Sequence, residues 1–150
     1  MEQPTAEAAL EELEALVGEW SLKAGPPGGP PWPGEGRASI EWMEGRQHLM
    51  VRSSVDDPSA PNGTMIIGCD AANGTYTQLY ADDRGVCRTY DMSIGSGEWK
   101  LWREGKPFSQ RFSAAISEDG NTIAGRWEKK THTGWETDFD LTYMRAGQAR

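Results

Sequence analysis

The sequence predicts an all-β fold: a closed antiparallel up-and-down β-barrel of about ten strands with a short N-terminal helix. Three observations carry this expectation. The apolar period changes once, at Gly18, from helical to alternating. Turn-forming pairs then recur at short, even intervals to the end of the chain. Nearly all the intervening connections are too short for the crossover that parallel strands need.

The helix is expected over 5–17. Ala6, Ala9, Leu10, Leu13, Leu16 and Val17 fall on one face at three- and four-residue spacing, while Glu11, Glu12 and Glu14 cover the other. Thr5 suits an N-cap, Glu7 the first turn and Gly18 the stop. The stripe must dock on something, and the end of a barrel is a natural place. Strands are expected near 19–24, 36–44, 47–55, 64–70, 75–82, 86–93, 97–103, 107–116, 122–130 and 134–145. Between them stand turn pairs such as Glu44-Gly45, Asn73-Gly74, Arg84-Gly85, Asp119-Gly120 and Thr133-Gly134.

A meander of this length leaves two free edges unless it closes, and closure removes both. Barrel residues 18–145 and the helix thus make one domain over 1–150. Two connections exceed a tight turn. Gly25 to Gly36 is a stiff, proline-rich loop with Trp32 as its anchor, and Asp56 to Pro61 joins the third and fourth strands. Loops of this kind can rim a barrel mouth.

Alternation assigns the interior. The last strand points Trp135, Thr137, Phe139, Leu141 and Tyr143 inward. Phe108, Gln110, Phe112, Ala114 and Ile116 face in on the eighth strand, Ile123, Gly125 and Trp127 on the ninth, and Ala38, Ile40 and Trp42 on the second. On the fifth and sixth strands Tyr76, Gln78, Tyr80 and Asp82 share one face, and Arg88, Tyr90 and Met92 another. An odd-numbered turn around Arg84-Gly85 makes these faces coincide; the opposite choice buries only Leu79 and Ala81. The interior is therefore expected to hold an Asp82–Arg88 pair beside Tyr80 and Tyr90. That cluster is either a self-satisfied network or a ligand contact, since polar groups inside a barrel must be hydrogen-bonded.

The formal charge of −8, with scattered Lys and Arg, argues against nucleic acid. No apolar run is long enough for a helical membrane span, and the N-terminus lacks a signal-peptide pattern, so a cytoplasmic location is expected. Cys69 and Cys87 are then small core thiols that need no disulfide. His48 opens the third strand and His132 lies in a turn. No metal-ligand spacing, nucleophile motif or phosphate cradle occurs, so neither a metal nor a cofactor is expected.

Leu16-Val17-Gly18-Glu19-Trp20 runs a helix into Gly-x-Trp at the first strand. This resembles the opening of calycin-type barrels: lipocalins, fatty-acid-binding proteins and nitrobindin-like proteins. Tyr80-Ala81-Asp82-Asp83-Arg84-Gly85-Val86, Phe108-Ser109-Gln110-Arg111-Phe112 and Gly125-Arg126-Trp127-Glu128 are similar to segments of an uncharacterised bacterial family of lipocalin-like proteins. The resemblance, from about Leu10 to Met144, implies a barrel with a cavity and a base closed by Trp20. Haem-binding relatives carry a late-strand histidine reaching inside, a position His132 does not match.

Three functions fit these features. One is binding of a small hydrophobic or amphipathic molecule in the cavity by Trp42, Tyr76, Gln78, Tyr80, Arg88, Tyr90, Gln110, Phe112 and Trp127. Arg88 would favour a carboxylate or enolate. The second is a cofactor-independent enzyme of the isomerase or cyclase type acting on a small natural product, with Asp82, Tyr80 or Tyr90 as acid or base. The third is a filled barrel whose surface meets a protein partner. A monomer or homodimer is expected.

Overall fold

The N-terminal stripe forms helix α1 (Ala6–Leu13), which tightens into a 3-10 turn over Glu14–Leu16. The computed structural model describes residues 6–146, so Thr5, the expected N-cap, lies outside the described residues. Gly18, at φ 143°, takes a backbone conformation that L side chains rarely adopt, and it turns the chain directly from the plug into the sheet.

Ten strands follow: β1 (Gly18–Gly25), β2 (Gly36–Trp42), β3 (His48–Val55), β4 (Gly63–Asp70), β5 (Thr75–Asp82), β6 (Cys87–Gly95), β7 (Glu98–Arg103), β8 (Gln110–Ile116), β9 (Thr122–Thr131) and β10 (Gly134–Arg145). Each pairs antiparallel with its neighbours in sequence, and β1 also pairs with β10, with Trp20 opposite Arg145 and Ala24 opposite Leu141. The sheet is a closed barrel, as the short turns require. Among the described residues no helix is long and apolar enough to cross a membrane.

One end is plugged. Leu13 and Leu16 bury completely among Ile40, Leu49, Ile67 and Ile123. Trp20, 1% exposed, donates its indole N–H to the Leu16 carbonyl at 2.9 Å. Arg145 lies over the Trp20 ring at 4.2 Å and donates to the carbonyls of Val17, Ala15 and Gly120. The last strand thus ties down the end of the plug with charge-assisted bonds to carbonyls that a short helix leaves open.

Alternation holds on most strands but fails in β10. Trp127 pairs with Phe139 and Glu128 with Thr137, which leaves Asp138 as the extra residue of a β-bulge. Phe139, Leu141 and Tyr143 keep the expected inward face. Beyond the bulge the phase inverts. Trp135 and Thr137, expected inside, face out, where the Arg111 guanidinium stacks on Trp135 at 4.2 Å and pairs with Glu128 at 2.7 Å. Asp138 enters the barrel mouth instead.

Two further expectations are corrected. Cys87 is exposed because it pairs with Ala81, on the outward face of β5 and β6; Cys69 is partly buried, and both thiols are free. The Asp82–Arg88 pair does not form. The turn does bring Tyr80 opposite Arg88 and Gln78 opposite Tyr90, so the two polar faces coincide. Arg84, inside that turn, reaches Asp82 first.

Candidate functional site

Between the plug and the opposite mouth lies a cavity of about 620 Å³. Its volume falls within the ordinary range for small-molecule sites. One wall is aromatic, and its rings run in contact from mouth to base. Trp32 meets Phe139 at 5.7 Å, Phe139 stacks with Trp127 at 6.4 Å, and Trp127 lies 5.0 Å from Phe112. Phe112 meets Trp99 edge-on at 5.3 Å, Trp99 meets Tyr143 at 5.7 Å, and Tyr143 meets Trp20 at the base. Such edge-to-face and offset contacts hold large rings in fixed positions. Gly125 permits this wall, because a Cβ there would fall 2.5 Å from Phe112 Cζ.

The facing wall, from β5, β6 and the start of β8, is polar. Gln110 Oε1 accepts from Tyr90 Oη at 2.9 Å, Arg88 Nη1 at 3.1 Å and Arg103 Nη1 at 3.4 Å. Nearer the mouth, Asp82 accepts from Arg84 Nη2 at 2.6 Å, Arg84 Nε at 3.0 Å and Tyr80 Oη at 2.7 Å. The bonds from Arg84 hold the Asp82 carboxyl far below the usual carboxylate range. Burial, followed by donation to that carboxylate, pushes the Tyr80 phenol well up. Burial likewise raises Tyr90 and Tyr143. Each phenol therefore keeps its proton at neutral pH, and Tyr80 and Tyr90 act as donors, to Asp82 and Gln110.

Asp82 contributes to stability with a definite sign. Its folded-state pKa is depressed, so the contribution is present above the ordinary Asp value of about 3.9 and fades as pH falls through that value and below. An Asp82→Asn variant should lose thermal stability at pH 7. The gap from wild type should close as melting is followed down from pH 6 towards pH 2. A gap independent of pH would show that the charge on Asp82 is not what Arg84 and Tyr80 stabilise.

Gln78, Tyr80, Arg88, Tyr90, Gln110, Phe112 and Trp127 all line the cavity. Trp42 and Tyr76 do not. Both point inward, but at the plugged end. Trp42 donates to Glu14 Oε1 at 3.0 Å beneath the Arg46 guanidinium, and Tyr76 Oη donates to the Ala9 carbonyl at 2.8 Å. The helix plug covers the depth at which both side chains lie. Neither His48 nor His132 lines the cavity and both are exposed, so a haem held by a late-strand histidine does not fit these residues.

The candidate ligand residues read from the sequence omit Trp99 and Asp138, and also Trp32, which the sequence marks only as the anchor of a loop. Trp99 and Leu101 alternate with Lys100 and Trp102 on β7. A tryptophan on each face of so short a strand hides which side is inward; Trp102 proves exposed and Trp99 buried. Trp32 lines the mouth from the proline-rich loop, its N–H donating to the Ala24 carbonyl at 2.7 Å. Among the described residues, two buried side-chain atoms have no hydrogen-bond partner: Gln78 Oε1 and Trp99 Nε1. Both belong to cavity-lining residues.

No protein-family model matches the chain, and no curated protein matches it in sequence. Among solved structures it is similar to the one titled "Crystal Structure of Rv2717c from M. tuberculosis". That likeness has 14% identity and a TM-score of 0.63, and it covers 96% of this chain and 99% of the other. At that identity the similarity is one of fold alone, over nearly the full length of both chains.

Proposed function

We propose that this protein binds a small amphipathic molecule inside its barrel. The observation that carries the reading is a 620 Å³ cavity with one aromatic and one polar wall, whose lining residues Gln78 and Trp99 each keep a buried polar atom, Oε1 and Nε1, without a partner. A buried donor or acceptor left unmade costs about 1–3 kcal/mol. A barrel built only to be filled would carry apolar groups there, and a ligand that shifts the neighbouring side chains can supply a polar partner. The aromatic wall supplies apolar contact and the polar wall orientation. The Gly-x-Trp opening at Gly18-Glu19-Trp20 and the helix plug support a calycin-type reading of the barrel.

The isomerase or cyclase reading draws no support from the geometry. Asp82 is held ionised by Arg84 at the rim, and Tyr80 and Tyr90 are held protonated, so none of the three is poised to exchange a proton near neutral pH.

N-phenyl-1-naphthylamine, a neutral aromatic amine that fluoresces in apolar surroundings, tests the reading. It should saturate a single site and quench the tryptophan emission of the protein. Gln78→Met keeps the shape and removes the orphaned acceptor. Ligand-free, this variant should be more stable than wild type by about 1 kcal/mol in urea unfolding. Its affinity for the amine should fall, because the N–H of the amine loses its acceptor. No saturable binding in wild type, or equal affinity in the variant together with lower stability, would refute a polar-anchored cavity.

A further inference from the structure

The barrel wall is incomplete on one side. Pairing between β6 and β7 runs only from Asp91–Gly95 to Glu98–Trp102, so Cys87 to Tyr90 have no partner there, and after Arg103 the chain leaves as the 104–109 loop. The opening is a groove of about 420 Å³ whose lining includes Val86, Arg88, Arg103, Glu104 and Lys106. Val86 and Arg88 also line the interior cavity, so these two side chains stand between cavity and groove.

The chemistry at this junction is short of acceptors. Gln110 Oε1 receives three donors, from Tyr90, Arg88 and Arg103, although a carbonyl oxygen offers only two lone pairs. The Arg88 guanidinium donates to Gln110 at 3.1 Å, lies beside the Tyr90 phenol, and sits 6.0 Å from the Phe108 ring, with no charged partner among the described residues. Arg103 is locked in place by donation to the carbonyls of Phe108 and Lys106, both at 2.7 Å. No carboxylate comes within 4.0 Å of Arg88, Arg103 or Lys106 among the described residues, whereas Arg84, Arg111 and Arg126 are each paired. The groove thus carries three cations against Glu104, on a chain whose formal charge is −8.

We infer that the ligand is an organic anion whose acidic group is seated on Arg88 in the gap between β6 and β7, with its apolar body lying inward against the aromatic wall. The inference rests on the cavity reading above and adds the charge and orientation of the occupant. An anionic oxygen supplies the acceptors that Gln110 cannot, and bonds of that kind are the stronger class of hydrogen bond. Arg103 and Lys106 add favourable field at the open side, where solvent screens them more. The acidic group reaches solvent through the wall and not through the mouth rimmed by Trp32.

Two fluorophores with the same ring system separate the two readings: neutral N-phenyl-1-naphthylamine, and 8-anilino-1-naphthalenesulfonate, which adds an anionic group. Both should bind wild type, and each should displace the other. Arg88→Gln should weaken the sulfonate about tenfold or more relative to the neutral amine. Arg88→Lys should recover part of the loss, since it restores the charge without the planar fork. Raising salt from 20 to 500 mM should weaken only the sulfonate in wild type, a measurement that does not depend on any variant folding. Lys106→Ala, at an exposed position, should cost the sulfonate about two- to threefold. Equal losses for both fluorophores in Arg88→Gln, or a sulfonate indifferent to Arg88 and to salt, overturn the anion seat while leaving the cavity reading intact. Binding of neither fluorophore removes both.

Discussion

Replacing Trp20 by Ala is expected to lower the unfolding free energy by about 3–5 kcal/mol, the range for large aromatic deletions in packed cores. Three losses combine there. A side chain only 1% exposed leaves a void beneath the plug, the Leu16 carbonyl loses its indole donor, and Arg145 loses the ring on which it lies. Without that ring, the bonds from Arg145 to Val17 and Ala15 no longer have a fixed geometry. Small domains have about 5–15 kcal/mol in all, so the variant should give up a large share of the barrel's stability. Urea titration followed by circular dichroism measures the effect. A loss under about 1 kcal/mol would mean that the base is held by Leu13 and Leu16 alone.

Gly125→Ala should destabilise the barrel by about 1–3 kcal/mol, against the usual direction for this substitution. Glycine inside a strand costs backbone entropy, and alanine would ordinarily gain about 0.5–1 kcal/mol. Here the added Cβ would lie 2.5 Å from Phe112 Cζ and 3.1 Å from Ala114 Cβ. Phe112 is 1% exposed and wedged between Trp99 and Trp127, so the strain passes along the aromatic wall. The ring can move only towards the cavity, so affinity for N-phenyl-1-naphthylamine should fall along with stability. Adding Phe112→Leu to Gly125→Ala should recover part of the stability, because the smaller side chain vacates the clash. If the double variant is simply additive, the two residues are not in conflict and this reading of Gly125 is wrong.

Much of the architecture was legible in residue order because it rests on local rules. The period change at Gly18, the turn pairs and the short connections anticipated every strand to within a few residues, and closure followed from the edges a meander would expose. The shared face of Gln78, Tyr80, Arg88 and Tyr90 was also readable, since it depends only on the parity of one turn.

The rest was decided by contacts between segments. Nothing near Asp138 in the chain marks it as a bulge; the mismatch arises where β10 must follow both β9 and the curvature of the barrel, and it carries Trp135 out to Arg111. Asp82 chose Arg84 over Arg88 because a residue within the turn reaches the carboxylate at less cost than one across it. Trp42 and Tyr76 face inward as alternation requires, yet the plug already occupies that depth. The sequence alone thus determined a closed barrel with one polar and one aromatic wall. Only the tertiary structure placed Gln78 and Trp99 without partners, left Arg88 short of acceptors and opened the wall between β6 and β7. Periodicity reports which face a residue occupies, whereas the partner it meets there depends on strands distant in the chain.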